Sequence, residues 1–324
     1  MSLDLDLLAD AILAAVEDPD YQPPALPAVT LDLVRLAGRV DATLEETVAV
    51  IERDAWVAAR LRAEASEEAK ATGIKIGSMR QVCLYFGLLR VRDVVIEAAL
   101  ADCVFRSDVH RETMARLFRH ARATAHLGRA VAESTEMAGE CAYVAGLLHD
   151  VGFAGALHVL TERDEDFGPL LPLPAIWPAL ERIHGRVGAA MARHWGFPPE
   201  VVDAIEAHHD LPIGREASPM AAAIAIASEL AHHEGFGLTH PVSSEPLALS
   251  SSIHEADADL EGLDALEALE LKQDGDPADR LPAHVLDRQL ALLGLDRSKL
   301  HLIAHRAKSA LAGIDGDSRM DEPV

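Results

Sequence analysis

Residues 141–153 read Cys-Ala-Tyr-Val-Ala-Gly-Leu-Leu-His-Asp-Val-Gly-Phe. This stretch sets His149 and Asp150 in the middle of an apolar, helix-like run. An imidazole beside a carboxylate in apolar surroundings is unfavourable to bury unless each group finds a partner. A metal ion is one such partner, and a hydrogen-bond network is another. The dipeptide alone carries little weight, since His209-Asp210 is a second example in the same chain. Its meaning lies in what surrounds it.

The chain has 324 residues, which suggests about two domains. That length can bury a large core without disulfides. Apolar residues make up 49% but aromatics only 4%, and Ala and Leu dominate over the β-branched types that favour strands. The composition predicts an all-α fold. A formal net charge of −24 repels phosphate backbones, so nucleic acid is not an expected partner. Cys83, Cys103 and Cys141 form no CxxC pair and fit a reducing cytoplasm. Met1 leads into Ser-Leu-Asp-Leu-Asp, which lacks the basic start of a signal peptide. The run 141–161 is long enough to span a bilayer, but it carries Asp150 at its centre and Gly146, Gly152 and Gly155. It reads as a buried segment of a soluble chain, with no membrane association and a cytoplasmic location.

Outward from this run, helical spacing recurs on both sides. A leading helix occupies the first 21 residues and ends at Asp18-Pro-Asp-Tyr-Gln-Pro-Pro24. Short helices follow from Leu26, Thr43, Asp54 and Ser78. Thr43 and Ser78 each precede a Glu or Gln three residues on, the pattern of a capping box. Gly87 is placed to end a helix. No titratable cluster is read in the first hundred residues, and 22–108 is taken as an N-terminal packing lobe. A break at Arg106-Ser-Asp108 opens a second helical lobe, 109–235. It holds a long helix with His120 and His126, which point about 120° apart and so do not form one site. Residues 164–174 are a Pro-rich loop, and helices follow at 177–194, 199–209 and 219–233. Residues 236–324 form an acidic, partly helical extension. Residues 255–279 hold ten acids against Lys272, which predicts a weakly ordered segment. Helices are expected at 283–293 and 298–314, before a frayed tail at 316–324.

In the second lobe His120, His149-Asp150, His184 and His208-His209 each lie on a different predicted helix. Helical bundles build metal sites by projecting such side chains to one point. Imidazole and carboxylate suit a divalent ion such as Fe, Mn, Zn or Mg. The competing reading is a set of separately satisfied histidines in a His-rich chain, with His232-His233 as a pair to which no role is assigned.

The pattern resembles the HD superfamily of metal-dependent phosphohydrolases, and within it the HDOD (HD-related output domain) branch of bacterial signalling proteins. Ala25-Leu-Pro-Ala-Val-Thr30 is similar to the family's opening LPxLPxV, and 48–61 and 76–93 resemble its next two helices. Arg119-His120 matches the first superfamily His. Gly146-Leu-Leu-His-Asp-Val-Gly152 matches GLLHDIG, His184-Gly-Arg-Val-Gly188 matches HaevG, and Trp195-Gly-Phe-Pro198 and Ala207-His-His209 match the later motifs. The resemblance covers about residues 22–235 and implies a two-lobed helical fold with an HD-like bundle as its second lobe. It also implies metal ligands at His120, His149, Asp150, His184, His208 and His209.

The sequence departs from the family at three places. Glu64-Ala-Ser66 stands where many members carry Asn-Ser, and no GYP triplet follows His208-His209. Ser228 stands where the last Asp of the metal quartet is usual, with Glu229 turned about 100° around the helix. The resemblance therefore implies a non-catalytic signal-transduction module, acting through protein partners, with a degenerate HD-type metal site. Any cofactor would be a divalent cation held weakly, and without it the site would be a polar network joining its helices. The other reading is a metal-dependent phosphohydrolase acting on a nucleotide or cyclic dinucleotide, with Arg119, Arg122, Arg182 and Arg186 available for phosphate.

Overall fold

Side-chain caps start helices at Thr43, Asp54 and Ser78, as the sequence predicts. In a computed structural model of the chain, which describes residues 4–70, 73–135, 137–162, 172–209, 218–238 and 283–315, α1 (Leu5–Glu17) begins at Asp4. The Asp4 carboxylate accepts from the N–H groups of Asp6 and Leu7. After α2 (Ala28–Ala37), the capping box of Thr43 and Glu46 opens α3 (Leu44–Ile51) with both of its bonds made. Asp54 accepts from Trp56 and Val57 N–H and opens α4 (Ala55–Lys70). Ser78 caps α5 (Met79–Cys103) by accepting from Gln81 N–H. The Gln81 side chain takes the N–H of Gly77 instead of Ser78, so this second capping box is only half formed. Gly87, at φ +73 and ψ 164, is non-helical and divides α5 into two helical segments, so it ends the first of them as expected. Only glycine adopts that backbone without strain.

The remaining described elements are α6 (Arg111–Glu133), α7 (Gly139–Leu148), α8 (Val151–Glu162), α9 (Leu173–Trp195), α10 (Pro199–Ala207), α11 (Pro219–Ala231), a π-helical turn (His232–Phe236), α12 (Ala283–Leu292) and α13 (Arg297–Asp315). Among the described residues there is no β-strand. Helix α9 starts inside the expected loop, because Pro at its second position is tolerated in a first turn. The acidic run 255–279, the tail 316–324 and most of the Pro-rich loop lie outside the described residues.

The helices divide among three apolar cores. Val29, Leu33, Ile51, Leu61, Val82 and Val91 pack together in the first. From Ile96 onward α5 changes partner: Ile96, Leu100 and Phe105 join the large core of α6 to α10. The changeover falls within α5, ahead of the break read at 106–108. The leading helix α1 enters the large core as well, through Leu8, Ile12 and Val16. Leu286, Leu290, Ile303 and Leu311 of α12 and α13 pack with Leu127 and Val131 of α6 and Ile226 and Leu230 of α11.

His149 and Asp150 form the turn between α7 and α8 rather than the midpoint of one helix. The whole run Gly139–Glu162 is apolar and long enough to cross a membrane, and 89% of its most apolar window is buried inside the fold. Two glycines let this run sink. A Cβ on Gly146 would stand 2.8 Å from Ala125 Cα and Thr124 O of α6. A Cβ on Gly152 would stand 1.8 Å from His184 O and 2.6 Å from Gly188 N of α9. Real carbon–oxygen contacts cannot close that far, so α8 and α9 touch backbone to backbone only because residue 152 is glycine.

A buried charge cluster lies where α5 meets α6 and α7, which corrects the expectation of none in the first hundred residues. Arg92 and Asp93 are buried and paired at 2.9 Å, and Arg129 reaches Asp93 at 2.6 Å. Glu97 accepts from Arg122 at 2.9 Å and from the Tyr143 hydroxyl. The ring of His126 meets Tyr143 edge-on. Helical spacing places these charges on what reads as an outer face of α5, and α6 and α7 then cover it.

Two outcomes follow from this packing. Gly152→Ala is expected to destabilise the fold by at least about 3 kcal/mol, the upper range for overpacking, because backbone rather than a side-chain tip blocks the methyl. Urea unfolding monitored by circular dichroism checks it. Burial pushes His126 down to about 4, with Arg129, Arg90 and Arg122 adding to the shift and Glu97 opposing it. A folded-state value below that of the unfolded chain gives stability that is full above about pH 6.5 and is lost as pH falls toward 4. His126→Gln is expected to flatten the fall in Tm across that window relative to the unmodified protein.

Candidate metal centre

All six candidate ligands read from the sequence come together. Helix α6 carries His120, the α7–α8 turn carries His149 and Asp150, α9 carries His184, and the end of α10 carries His208 and His209. Ligand atoms of His120, His149 and Asp150 lie within 4.8 Å of one another. Those of Asp150, His184, His208 and His209 form a second such group, so Asp150 belongs to both. All are buried except His209, which is exposed. Asp150 Oδ2 lies 3.2 Å from His149 Nε2 and 3.6 Å from His120 Nε2. Its Oδ1 lies 3.5 Å from both His184 Nε2 and His208 Nε2 and has no hydrogen-bond partner.

Backbone carbonyls decide what these rings offer. His120 Nδ1 stands 2.9 Å from Phe236 O, His149 Nδ1 2.8 Å from Gly146 O, His184 Nδ1 2.6 Å from Glu181 O, and His208 Nδ1 2.7 Å from Ile205 O. A carbonyl oxygen only accepts, so each Nδ1 carries the hydrogen and donates it. In a neutral ring Nε2 is then a bare lone pair. Burial pushes His120 well below the usual imidazole range and His184 to about 4, so both rings are neutral near pH 7. Burial works the other way on Asp150, but the facing imidazoles, His149 foremost, hold its carboxyl well below the usual range.

Four Nε2 atoms therefore converge on the Asp150 carboxylate. His120 Nε2 is 3.3 Å from His149 Nε2, and His184 Nε2 is 3.2 Å from His208 Nε2. Neutral rings with this tautomer cannot join those nitrogens by hydrogen bonds. Hydrogen bonds from Ser228 to His120 and between His149 and Asp150 are compatible with a polar network as well. The residues present fit a divalent cation. Fixing the far nitrogen on a carbonyl is also how ligating imidazoles are oriented in metal sites. The stack of Phe153 on His184, ring centroids 4.2 Å apart, further fixes that ring.

Other residues near the cluster fall into place differently. Ser228 Oγ lies 3.2 Å from His120 Nε2 and can donate its hydrogen there. Glu229 is buried but faces away, 3.2 Å from His233 Nε2. The four arginines considered for phosphate are engaged elsewhere. Arg119 donates to Gly235 O and lies over the Phe236 ring, and Arg122 donates to Glu97. Arg182 donates to Asp6 and Leu5 O, and Arg186 to Glu17, which ties α9 to α1. His232, given no role from sequence, lies against the cluster, its ring centroid 4.7 Å from that of His120. The available signal was its position one helical turn after Ser228.

An all-helical chain with an HD-type cluster of histidines about one aspartate is the class that this fold and site define. The HDOD domain profile matches residues 24–211, more than half of the chain, and the chain belongs to the HDOD family. Solved structures share the fold. An HDOD domain protein of unknown function from Geobacter sulfurreducens aligns over 98% of this chain and 99% of its own, with 21% identity and a TM-score of 0.59. A candidate metal-dependent phosphohydrolase from Shewanella amazonensis SB2B aligns over 90% and 98%, with 20% identity and a TM-score of 0.55. A candidate signal transduction protein from Marinobacter aquaeolei VT8 aligns over 97% and 67%, with 18% identity and a TM-score of 0.59. An uncharacterized protein of Treponema pallidum (strain Nichols) is 23% identical over 238 residues. That match covers 70% of this chain and 45% of the relative's length.

A cation that binds the folded chain and not the unfolded one raises stability by mass action. Zinc at a free concentration near 100 Kd is expected to stabilise the protein by about 2.7 kcal/mol. His149→Ala is expected to remove most of that gain. Thermal unfolding with and without added ion, in a chelator-treated sample, measures both.

Proposed function

We propose that the chain is a non-catalytic regulatory module of bacterial signal transduction that acts through a protein partner. In this reading a divalent cation sits in its degenerate HD-type centre as part of the structure. The observation that carries the reading is the engagement of the four arginines around the cluster, each with an acceptor outside it. Phosphoryl chemistry needs positive groups that neutralise phosphate and stabilise its transition state. Here those side chains hold α1 to α9, α5 to α6, and the π turn to α6.

The donor set supports the same reading. Asp150 is the one carboxylate in the two ligand groups, and the Ser228 hydroxyl brings no negative charge to offset a divalent ion. Hard ions such as Mg and Mn, which favour anionic oxygens, are then held weakly, and Zn or Fe(II) are better suited to the imidazoles. When bound, the ion supplies the positive charge that the lone pairs need. The protein holds it with His120, His149 and Asp150, with His184, His208 and His209 adjacent. The net charge of −24 supports a protein partner over a nucleic acid or an anionic membrane.

Metal analysis of the purified chain, assays on cyclic dinucleotides and nucleoside phosphates, and a pull-down from the native host test this together. Low Mn and Mg occupancy after dialysis, no hydrolysis and a stoichiometric protein partner are expected. Rapid phosphodiester hydrolysis would overturn the module reading and favour the enzyme. Ser228→Asp restores a carboxylate and is expected to raise Mn affinity on the order of tenfold or more, the scale of changes around a metal.

A further inference from the structure

Position 228 is not the last word on the α11 side of the site. One turn further on, His232 opens the π-helical turn and presents its ring to His120, with centroids 4.7 Å apart and planes at 62°. His232 Nδ1 lies 2.8 Å from Ser228 O and must donate to it, since a carbonyl only accepts. The neutral ring therefore carries a bare lone pair on Nε2. That Nε2 is buried and has no hydrogen-bond partner. Buried polar atoms are nearly always paired, so an orphan beside a cluster of ligand atoms calls for an explanation. Gly237 leaves space for the ring, since a Cβ there would stand 2.8 Å from His232 Cδ2.

We propose that His232 is a cation ligand that takes over the place of the carboxylate absent at Ser228, completing a set of His120, His149, Asp150 and His232. This rests on the reading of the cluster as a cation site and names the residue that makes it workable without a second acid. The ring lies outside the group of atoms within 4.8 Å of one another, so ligation requires Nε2 to move inward while Nδ1 stays on Ser228 O. The resulting set is three imidazoles and one carboxylate. Such a nitrogen-rich set selects Zn, Co or Fe(II) and discriminates against Mg and Ca, which prefer all-oxygen ligands. A last-carboxylate site would have a weaker bias of this kind. The exchange of Ser for Asp at one turn and the presence of His at the next thus change which ion is bound, rather than simply abolishing binding.

The test uses the full chain, stripped with chelator and titrated with Co²⁺, whose visible bands report its ligands, and with Zn²⁺ in competition. His232→Ala is expected to lower Zn²⁺ affinity by about 10- to 100-fold, the scale for groups around a metal, and to change the Co²⁺ bands. Ser228→Ala is expected to leave both within about threefold, well below that scale. The double variant Ser228→Asp, His232→Ala is expected to recover affinity with a shift in preference toward Mn²⁺. If His232→Ala fails to fold, His232→Gln replaces it, and ¹⁵N spectra of labelled histidines in the unmodified protein show whether the His232 Nε2 signal moves on adding Zn²⁺. Binding with unchanged affinity and bands in both His232 variants, or a His232 signal unmoved by Zn²⁺, overturns this inference and leaves the cation site standing. Absence of Co²⁺ and Zn²⁺ binding by the unmodified chain overturns the cation site itself and this inference with it.

Discussion

Four imidazoles turn their Nε2 atoms onto one buried carboxylate, and the carbonyls of Phe236, Gly146, Glu181 and Ile205 hold them that way. Each carbonyl belongs to a helix end or to a turn of the helix that carries the ring. The ring orientations are therefore built into the backbone. Nε2 atoms 3.2–3.3 Å apart repel one another where both carry lone pairs, in a medium that screens poorly. The fold around them must supply either positive charge or enough packing to hold the groups in place.

The packing is supplied by closeness of approach. At Gly146 and Gly152 the α7–α8 run meets α6 and α9 with no side chain between the backbones. That brings the turn carrying His149 and Asp150 within reach of His120 on one side and His184 on the other. Helix α11 closes the third side with Ser228 and His232, and the π turn that follows sends Phe236 back to both His120 and Arg119. A π-helical turn commonly marks a place where a helix is deformed to suit a site. Here Gly235, at φ +84, permits the deformation.

The first core is joined to this assembly by α5. Its early residues pack among α2 to α4, and its later residues pack under α6 and α7. At the changeover sit Arg92, Asp93 and Glu97, bound to Arg129, Arg122 and Tyr143. Buried ion networks of this sort are weak sources of net stability, because desolvation offsets much of the attraction. They are strict about geometry, however, and leave α5 one arrangement against α6 and α7. Tyr143 stands six residues before His149, on the helix that ends at the cluster.

Local rules were enough for much of this. Apolar spacing and an Ala- and Leu-rich composition determined that the chain is all helical, and Asp4, Thr43 and Asp54 start their helices by bonds to residues two or three positions away. Family motifs at fixed spacing picked out His120, His149, Asp150, His184, His208 and His209, and these six do meet. Sequence could not decide the rest, because it depends on residues far apart in the chain. The tautomer of His120 is set by Phe236, 116 positions away, and the burial of Glu97 by Arg122 and Tyr143. His232 carries no role in the sequence, and gains one only where the turn after α11 packs against α6. Whether a histidine offers a lone pair or a proton is decided by what its other nitrogen touches, and only the tertiary structure brings that partner into contact.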